Sequence, residues 1–190
     1  MTHKLIVVLG LMWLSVSAQA QWAIQPESQV GFVSVKNNTI AENNTFAGIT
    51  GAIDEQGRVV VSVDLASVQT GIDIRNERLR QMLFEVAQFP EAAITAQIPA
   101  EALDVVQSGG FFDLYLPLTV SLHGVTQTLD AALSIDSDGD TIRVRSTSPI
   151  LLHTAQFALE DGVGALQTIA NLNAISRVVP VTVALTLSRP

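Results

Sequence analysis

The 190-residue chain contains no cysteine, which excludes thiolate nucleophiles, disulfides and Cys-based metal sites. Basic side chains are scarce, ten Lys and Arg against 18 Asp and Glu, so nothing favours nucleic acid or anionic headgroups electrostatically. Seven Phe, two Trp and one Tyr are too few for the two aromatic girdles of a membrane β-barrel. The sequence has no Gly-rich phosphate loop, no GxSxG serine and no HxH or HExxH pair. Beyond residue 20 only His123 and His153 remain, too few for a metal site without further ligands. Nothing in these absences argues for an enzyme.

The N-terminus is unlike the rest. His3 and Lys4 precede an apolar run from Leu5 to Val16, too short to span a bilayer, and Ala18-Gln19-Ala20 supplies a small-x-small cleavage pattern. Residues 1–20 read as a secretory signal peptide cleaved after Ala20, which predicts a periplasmic protein from a bacterial envelope. The remainder, 21–190, has the length of one domain and can bury a sufficient core without disulfides. Removing Lys4 with the signal leaves nine basic and 18 acidic side chains, a formal charge of −9. Two Asn-x-Thr sequons, at Asn37 and Asn43, read as polar loop or strand-end clusters in such a host.

Most of the chain has period two. Strands are predicted over Ser28–Lys36, Thr45–Asp54, Val59–Leu65, Ile94–Ile98, Leu114–Leu122, Thr128–Ile135, Ile142–Val144 and Val178–Leu187, separated by turn residues. The clearest places Leu114, Leu116, Leu118, Val120 and Leu122 on one face, opposite Asp113, Tyr115, Pro117, Thr119 and Ser121. One segment breaks the pattern. In Thr70–Pro90, Leu79, Met82, Leu83 and Val86 follow helical spacing, so an amphipathic helix is predicted near 73–87, capped by Asp73 and ended at Phe89-Pro90. Shorter helices are predicted near 100–107, bounded by Pro99 and Gly109-Gly110, and near 164–171, where Asp161 is a candidate cap.

The fold class is therefore all-β: an antiparallel barrel or closed sandwich of about eight strands with a helix laid across it. A barrel of that size either fills itself with side chains or holds one small ligand. The small inward residues Ala96 and Ala131 tilt the reading toward a cavity. His123 before Gly124 reads as a rim or turn residue rather than an acid or base. Asp136, Asp138 and Asp140 begin like a calcium loop, but Thr141 and Thr147 stand where an EF-hand needs Gly and Glu. No catalytic residue, metal site or cofactor is predicted.

In order and spacing, several motifs resemble the YceI-like family of lipocalin-like, exported polyisoprenoid-binding proteins. They are Trp22, Ser28-Gln29-Val30-Gly31-Phe32, the Thr70–Leu79 segment, Leu83-Phe84 with Phe89-Pro90, and Leu118-Thr119-Val120-Ser121-Leu122-His123-Gly124-Val125-Thr126. The resemblance implies a lipocalin-like barrel whose helix lies near the mouth and whose interior holds an isoprenoid or quinone-like lipid. Binding rather than catalysis is expected, as carrier, store or sensor, with no stable membrane insertion; a homodimer is compatible with it. One departure stands out. Where members often have a basic residue and then Ser-Asp-Phe-Gly, this chain has His153-Thr154-Ala155-Gln156-Phe157-Ala158, which favours a neutral headgroup. By alternation, the candidate lining residues are Phe32, Phe46, Leu79, Leu83, Phe84 and Phe157 near the mouth. Val61, Leu116, Leu118, Leu133 and Val183 are placed deeper. The competing readings are a filled barrel that binds an envelope partner and, less favoured, an enzyme using His123.

Overall fold

A computed structural model describes residues 20–189, so the signal-peptide reading, apart from Ala20, lies outside the described residues. The strands in chain order are β1 (Ala20–Ile24), β2 (Gln29–Lys36), β3 (Ile40–Phe46), β4 (Ile49–Asp54), β5 (Arg58–Asp64), β6 (Val68–Gln69), β7 (Glu91–Gln97), β8 (Gly110–Leu122), β9 (Val125–Ser137), β10 (Thr141–Ser146), β11 (Ile150–His153) and β12 (Val178–Ser188). The α-helices are α1 (Asp73–Arg78), α2 (Ala100–Ser108) and α3 (Glu160–Ile169).

All pairings between these strands are antiparallel. The order β1-β4-β5-β7-β8-β9-β10-β12, closed by β1 against β12, makes an eight-stranded barrel. The β2–β3 hairpin branches from β12 and carries the wall upward beyond that ring. Asn37 and Asn38 turn the hairpin with φ of 51° and 63°, left-handed values that Asn tolerates better than most residues.

The alternating faces have a consistent polarity. On β8 and β9 the aliphatic residues point inward, while Asp113, Tyr115, Thr119, Thr128 and Asp130 point outward. A membrane barrel has the reverse arrangement, apolar outward. No helix among the described residues is long and apolar enough to cross a membrane.

Two core clusters stack along the barrel axis. The lower one holds Trp22, Ile98, Val106, Leu116, Leu133, Ile142 and Leu187. There α2 covers the barrel end, and Ser137 Oγ donates to the Val106 carbonyl at 2.7 Å. Trp22, fully buried, donates its indole N–H to the Gly139 carbonyl at 3.1 Å. The upper cluster holds Phe46, Leu79, Phe84, Leu122, Phe157 and Leu159 beneath α1 and α3.

Three sequence expectations need correction. The helix predicted near 73–87 is α-helical only through Arg78; Leu79–Leu83 is a π-turn, and Glu85 at φ 48° ends it well before Phe89. Asp73 is its first residue, not its cap, which is Ile72 without a side-chain hydrogen bond. The strand expected over Thr45–Asp54 is two strands. It breaks at Gly48, where a Cβ would come within 2.9 Å of Asp64 Cβ, because β3 leaves to pair with β2 while β4 pairs with β5. The third helix starts at Glu160, so Asp161 lies inside its first turn and Leu159 is the cap. The helix at Ala100–Ser108 matches its expected span to within a residue, between Pro99 and Gly109.

Candidate functional site

Inward-facing residues do not fill the barrel. They surround an elongated cavity of about 590 Å³, a volume usual for sites that enclose a small molecule. The lower walls come from Val59, Val61, Ala96, Leu116, Leu133 and Val183, and the upper walls from Phe32, Phe46, Leu79, Leu83 and Phe84. At the top, Ile72, Ile74 and Ile169 line the cavity yet are about half exposed, which identifies the mouth.

Ten of the eleven residues singled out from sequence lie in this wall: Phe32, Phe46, Val61, Leu79, Leu83, Phe84, Leu116, Leu118, Leu133 and Val183. Phe157 does not. It ends the 3-10 turn Thr154–Phe157, with Ala158 turned left-handed at φ 54°. Its fully buried ring belongs to the upper core cluster and does not line the cavity. The rings of Phe32 and Phe46 lie 5.3 Å apart and those of Phe46 and Phe84 5.7 Å, so β2, β3 and the helical segment share one aromatic wall.

The π-turn decides which helical side chains reach the cavity. Phe84 N–H donates to the Leu79 carbonyl at 2.9 Å, five residues back rather than four. The extra residue per turn rotates the following side chains. As a result Leu79, Leu83 and Phe84 line the cavity, whereas Met82 and Val86 of the expected α-helical face do not.

Polar lining gathers at the mouth, on side chains that alternation did not flag. Lys36 Nζ lies 2.9 Å from Glu42 Oε2, and Arg75 of α1 pairs with the same carboxylate. The Lys36 hydrogen bond, and then that of Arg75, holds the Glu42 carboxyl below its ordinary value against the opposing effect of burial. Ser34, Asn44, Thr70 and Arg78 complete this rim. The signal for it was the register of β2 on β3, which sets Glu42 and Asn44 on the same face as Phe46.

The departure noted at His153–Ala158 has a different consequence from the one its sequence suggested. Of that segment only Thr154 reaches the cavity wall, and its hydroxyl donates to Glu160 Oε1 at 2.7 Å. Cations reach the mouth from β2 and α1 instead. His123 lies outside the lining, on the β8–β9 turn at φ 51°. Its Nε2 is 2.8 Å from Glu85 Oε2, and the Phe89 ring lies against it, 4.5 Å away and tilted by 54°. No cluster of three His, Asp or Glu side chains suited to a metal occurs among the described residues.

A closed antiparallel barrel with a capping helix at one end and an apolar cavity open at the other defines a lipocalin-like class. Within that class, the YceI-like domain profile matches residues 22–187, and the chain belongs to that family. A polyisoprenoid-binding domain from Saccharophagus degradans, described as implicated in plant cell wall breakdown, is similar over 90% of this chain and 100% of its own. It shares 33% identity, with a TM-score of 0.86. BcnA of Burkholderia cenocepacia, at 18% identity and TM-score 0.61 over 84% of this chain and 96% of its own, shares the fold. So does a YceI protein of Campylobacter jejuni, at 15% identity and 0.54 over 77% and 84%. A search of curated proteins gives no match.

Proposed function

We propose that this protein is exported and binds a long-chain isoprenoid or a quinone-like lipid in its barrel, as carrier, store or sensor. The observation that carries this reading is the elongated cavity of about 590 Å³, whose lower walls are apolar throughout. Burial of ten tail methylenes at about 0.8 kcal/mol each offers about 8 kcal/mol, near micromolar affinity before ordering costs. The polyisoprenoid-binding Saccharophagus degradans domain supports the same ligand class. Export to the periplasm follows from the signal pattern in residues 1–20 with cleavage after Ala20. In this reading the protein binds and does not catalyse, and His123 serves the β8–β9 turn.

We assign a neutral headgroup from the sequence of His153–Ala158, against a rim that sets Lys36, Arg75 and Arg78 beside the single carboxylate of Glu42. A strong preference for a prenyl diphosphate over its alcohol would reverse that assignment. The primary test is native mass spectrometry of the protein purified from its own envelope, followed by organic extraction. A stoichiometric isoprenoid adduct on a chain starting at Gln21 supports the reading, and the same spectrum reports whether the protein is a monomer or a homodimer. A clean apo mass that persists with added prenyl lipids would sink it in favour of a barrel that serves protein partners.

A further inference from the structure

Large apolar side chains left exposed among the described residues are not spread evenly. Of nine, four are isoleucines at the cavity mouth: Ile40, Ile72, Ile74 and Ile169, between 47% and 54% exposed. Ile72, Ile74 and Ile169 also line the cavity. Ile40 does not, but it lies on β3 one alternation beyond Glu42, on the same face. The elements that carry them hold one another. Arg75 of α1 pairs with Glu42 of β3. At the hairpin tip, the Asn37 N–H donates at 2.8 Å to the carbonyl of Ala174, in the segment that follows α3, and Lys36 bridges to Ile175. The rim is therefore one connected apolar surface, continuous with an apolar cavity. Exposed apolar residues scattered singly need no explanation, but a cluster of this kind marks an interaction site.

Charge at this end is opposite in sign to that of the chain. Beyond residue 20 the formal charge is −9. Yet Lys36, Arg75 and Arg78 line the mouth beside Glu42 alone. The acidic residues of α1, Asp73 and Glu77, do not line it. Arg78 pairs with no carboxylate among the described residues. A neutral headgroup inside the cavity leaves these cations unused, whereas an anionic surface across the mouth engages them. A bilayer is also the occupant that both covers the isoleucines and supplies the tail.

We propose that the mouth rim docks reversibly on the surface of an anionic phospholipid bilayer. The four isoleucines enter the boundary between headgroups and acyl chains, and Lys36, Arg75 and Arg78 meet the phosphates. A tail then passes between bilayer and cavity without crossing water. This inference rests on the lipid-binding reading above and adds the surface at which the lipid is exchanged.

The test is co-sedimentation of the exported chain with vesicles of equal parts phosphatidylcholine and phosphatidylglycerol, beside vesicles of phosphatidylcholine alone. The mixed vesicles are expected to bind it about fivefold tighter or more, a preference that added salt removes. Ile40→Ser changes a side chain outside the cavity lining. It is expected to weaken binding to the mixed vesicles about fivefold, the effect of half an isoleucine left unburied. Its affinity for a short prenol titrated in solution should stay that of the parent. Tyr115→Ser, at a side chain 81% exposed on the lower half of β8, is expected to change neither. The docking surface is overturned if the parent stays in the supernatant with the mixed vesicles, or if both compositions bind it equally. It is also overturned if Ile40→Ser binds the mixed vesicles no worse than Tyr115→Ser does. In each of these cases prenol binding in solution leaves the lipid reading standing. Absence of prenol binding in solution overturns the lipid reading, and the docking surface with it.

Discussion

Substituting Ala96 by Phe should shorten the cavity from its closed end. Ala96 faces inward on β7, in register with Val59 of β5, near the end covered by α2. The phenyl ring adds six carbons and so displaces about six tail methylenes, about 5 kcal/mol at 0.8 each. A tail that slides outward recovers part of this; half the loss, about 2.5 kcal/mol, still weakens Kd about sixtyfold. Space already exists beside Ala96, so the strain of overpacking is largely avoided and the ligand-free protein should melt no earlier than the parent. The assay is competition of a short and a long prenol against a fluorescent apolar probe. The long prenol should lose affinity while the short one, which does not reach Ala96, should not. Unchanged affinity for the long prenol would refute the placement of the tail in the lower barrel. Equal loss of both would mean that the cavity had collapsed, and would equally refute the reasoning.

Two glycines of α3 should respond oppositely to alanine. A Cβ on Gly162 would meet the Met82 carbonyl oxygen at 2.6 Å and Leu83 Cα at 2.9 Å, so Gly162→Ala should cost about 1–3 kcal/mol of unfolding free energy. A Cβ on Gly164 meets nothing, so Gly164→Ala should gain up to about 1 kcal/mol in the same denaturant titration. Glu42 has its folded-state pKa below the unfolded value, so its contribution is complete above pH 4.5 and lost as pH falls through the lower, folded-state pKa. Urea unfolding across pH should therefore show a stability difference between the parent and Glu42→Gln that is flat near neutrality and shrinks in acid. Trp22→Phe leaves the Gly139 carbonyl without its buried donor and should cost about 1–3 kcal/mol, read by thermal unfolding. His123→Ala, outside the lining, should leave prenol affinity unchanged in the competition assay, whereas a measured activity lost on that substitution would revive the enzyme reading.

Alternation made the long strands legible because β8 and β9 each bury one face along 13 residues, and every second side chain reports it. It also identified the inward residues now found in the cavity wall. It failed where backbone geometry departs from period two or 3.6. The π-turn carries the same apolar residues an α-helix would, so nothing in Leu79–Val86 announced that Phe84 would replace Met82 and Val86 on the inward face. Phe157 is apolar and near the rim, but a left-handed Ala158 sends the chain away and leaves the ring in the core; no local pattern encodes that. β3 was hidden for another reason. Ile40–Phe46 reads Ile-Ala-Glu-Asn-Asn-Thr-Phe, with the composition of a loop, and only pairing with β2 makes it a strand.

That pairing also explains why polar atoms stand in an apolar wall at all. A one-residue slip of β3 would turn Asn44 and Glu42 outward, but it would turn Phe46 outward with them. Phe46 is 8% exposed and packs on both Phe32 and Phe84, so its burial fixes the register for the whole strand. Asn44 and Glu42 are thus carried inward by Phe46, against their own preference for water. Ser34 and the Glu42 carbonyl satisfy the Asn44 amide group, and Lys36 and Arg75 satisfy the Glu42 carboxylate. The compensation stops one atom short on each of Asn44 and Arg75, whose Oδ1 and Nε are buried without a partner. A strand under selection for packing alone would place an aliphatic at position 44, as Val61 and Leu118 do elsewhere in the wall. The polar exception at this position lies where the wall passes from apolar side chains to the charged rim, so it marks the change from core packing to the mouth.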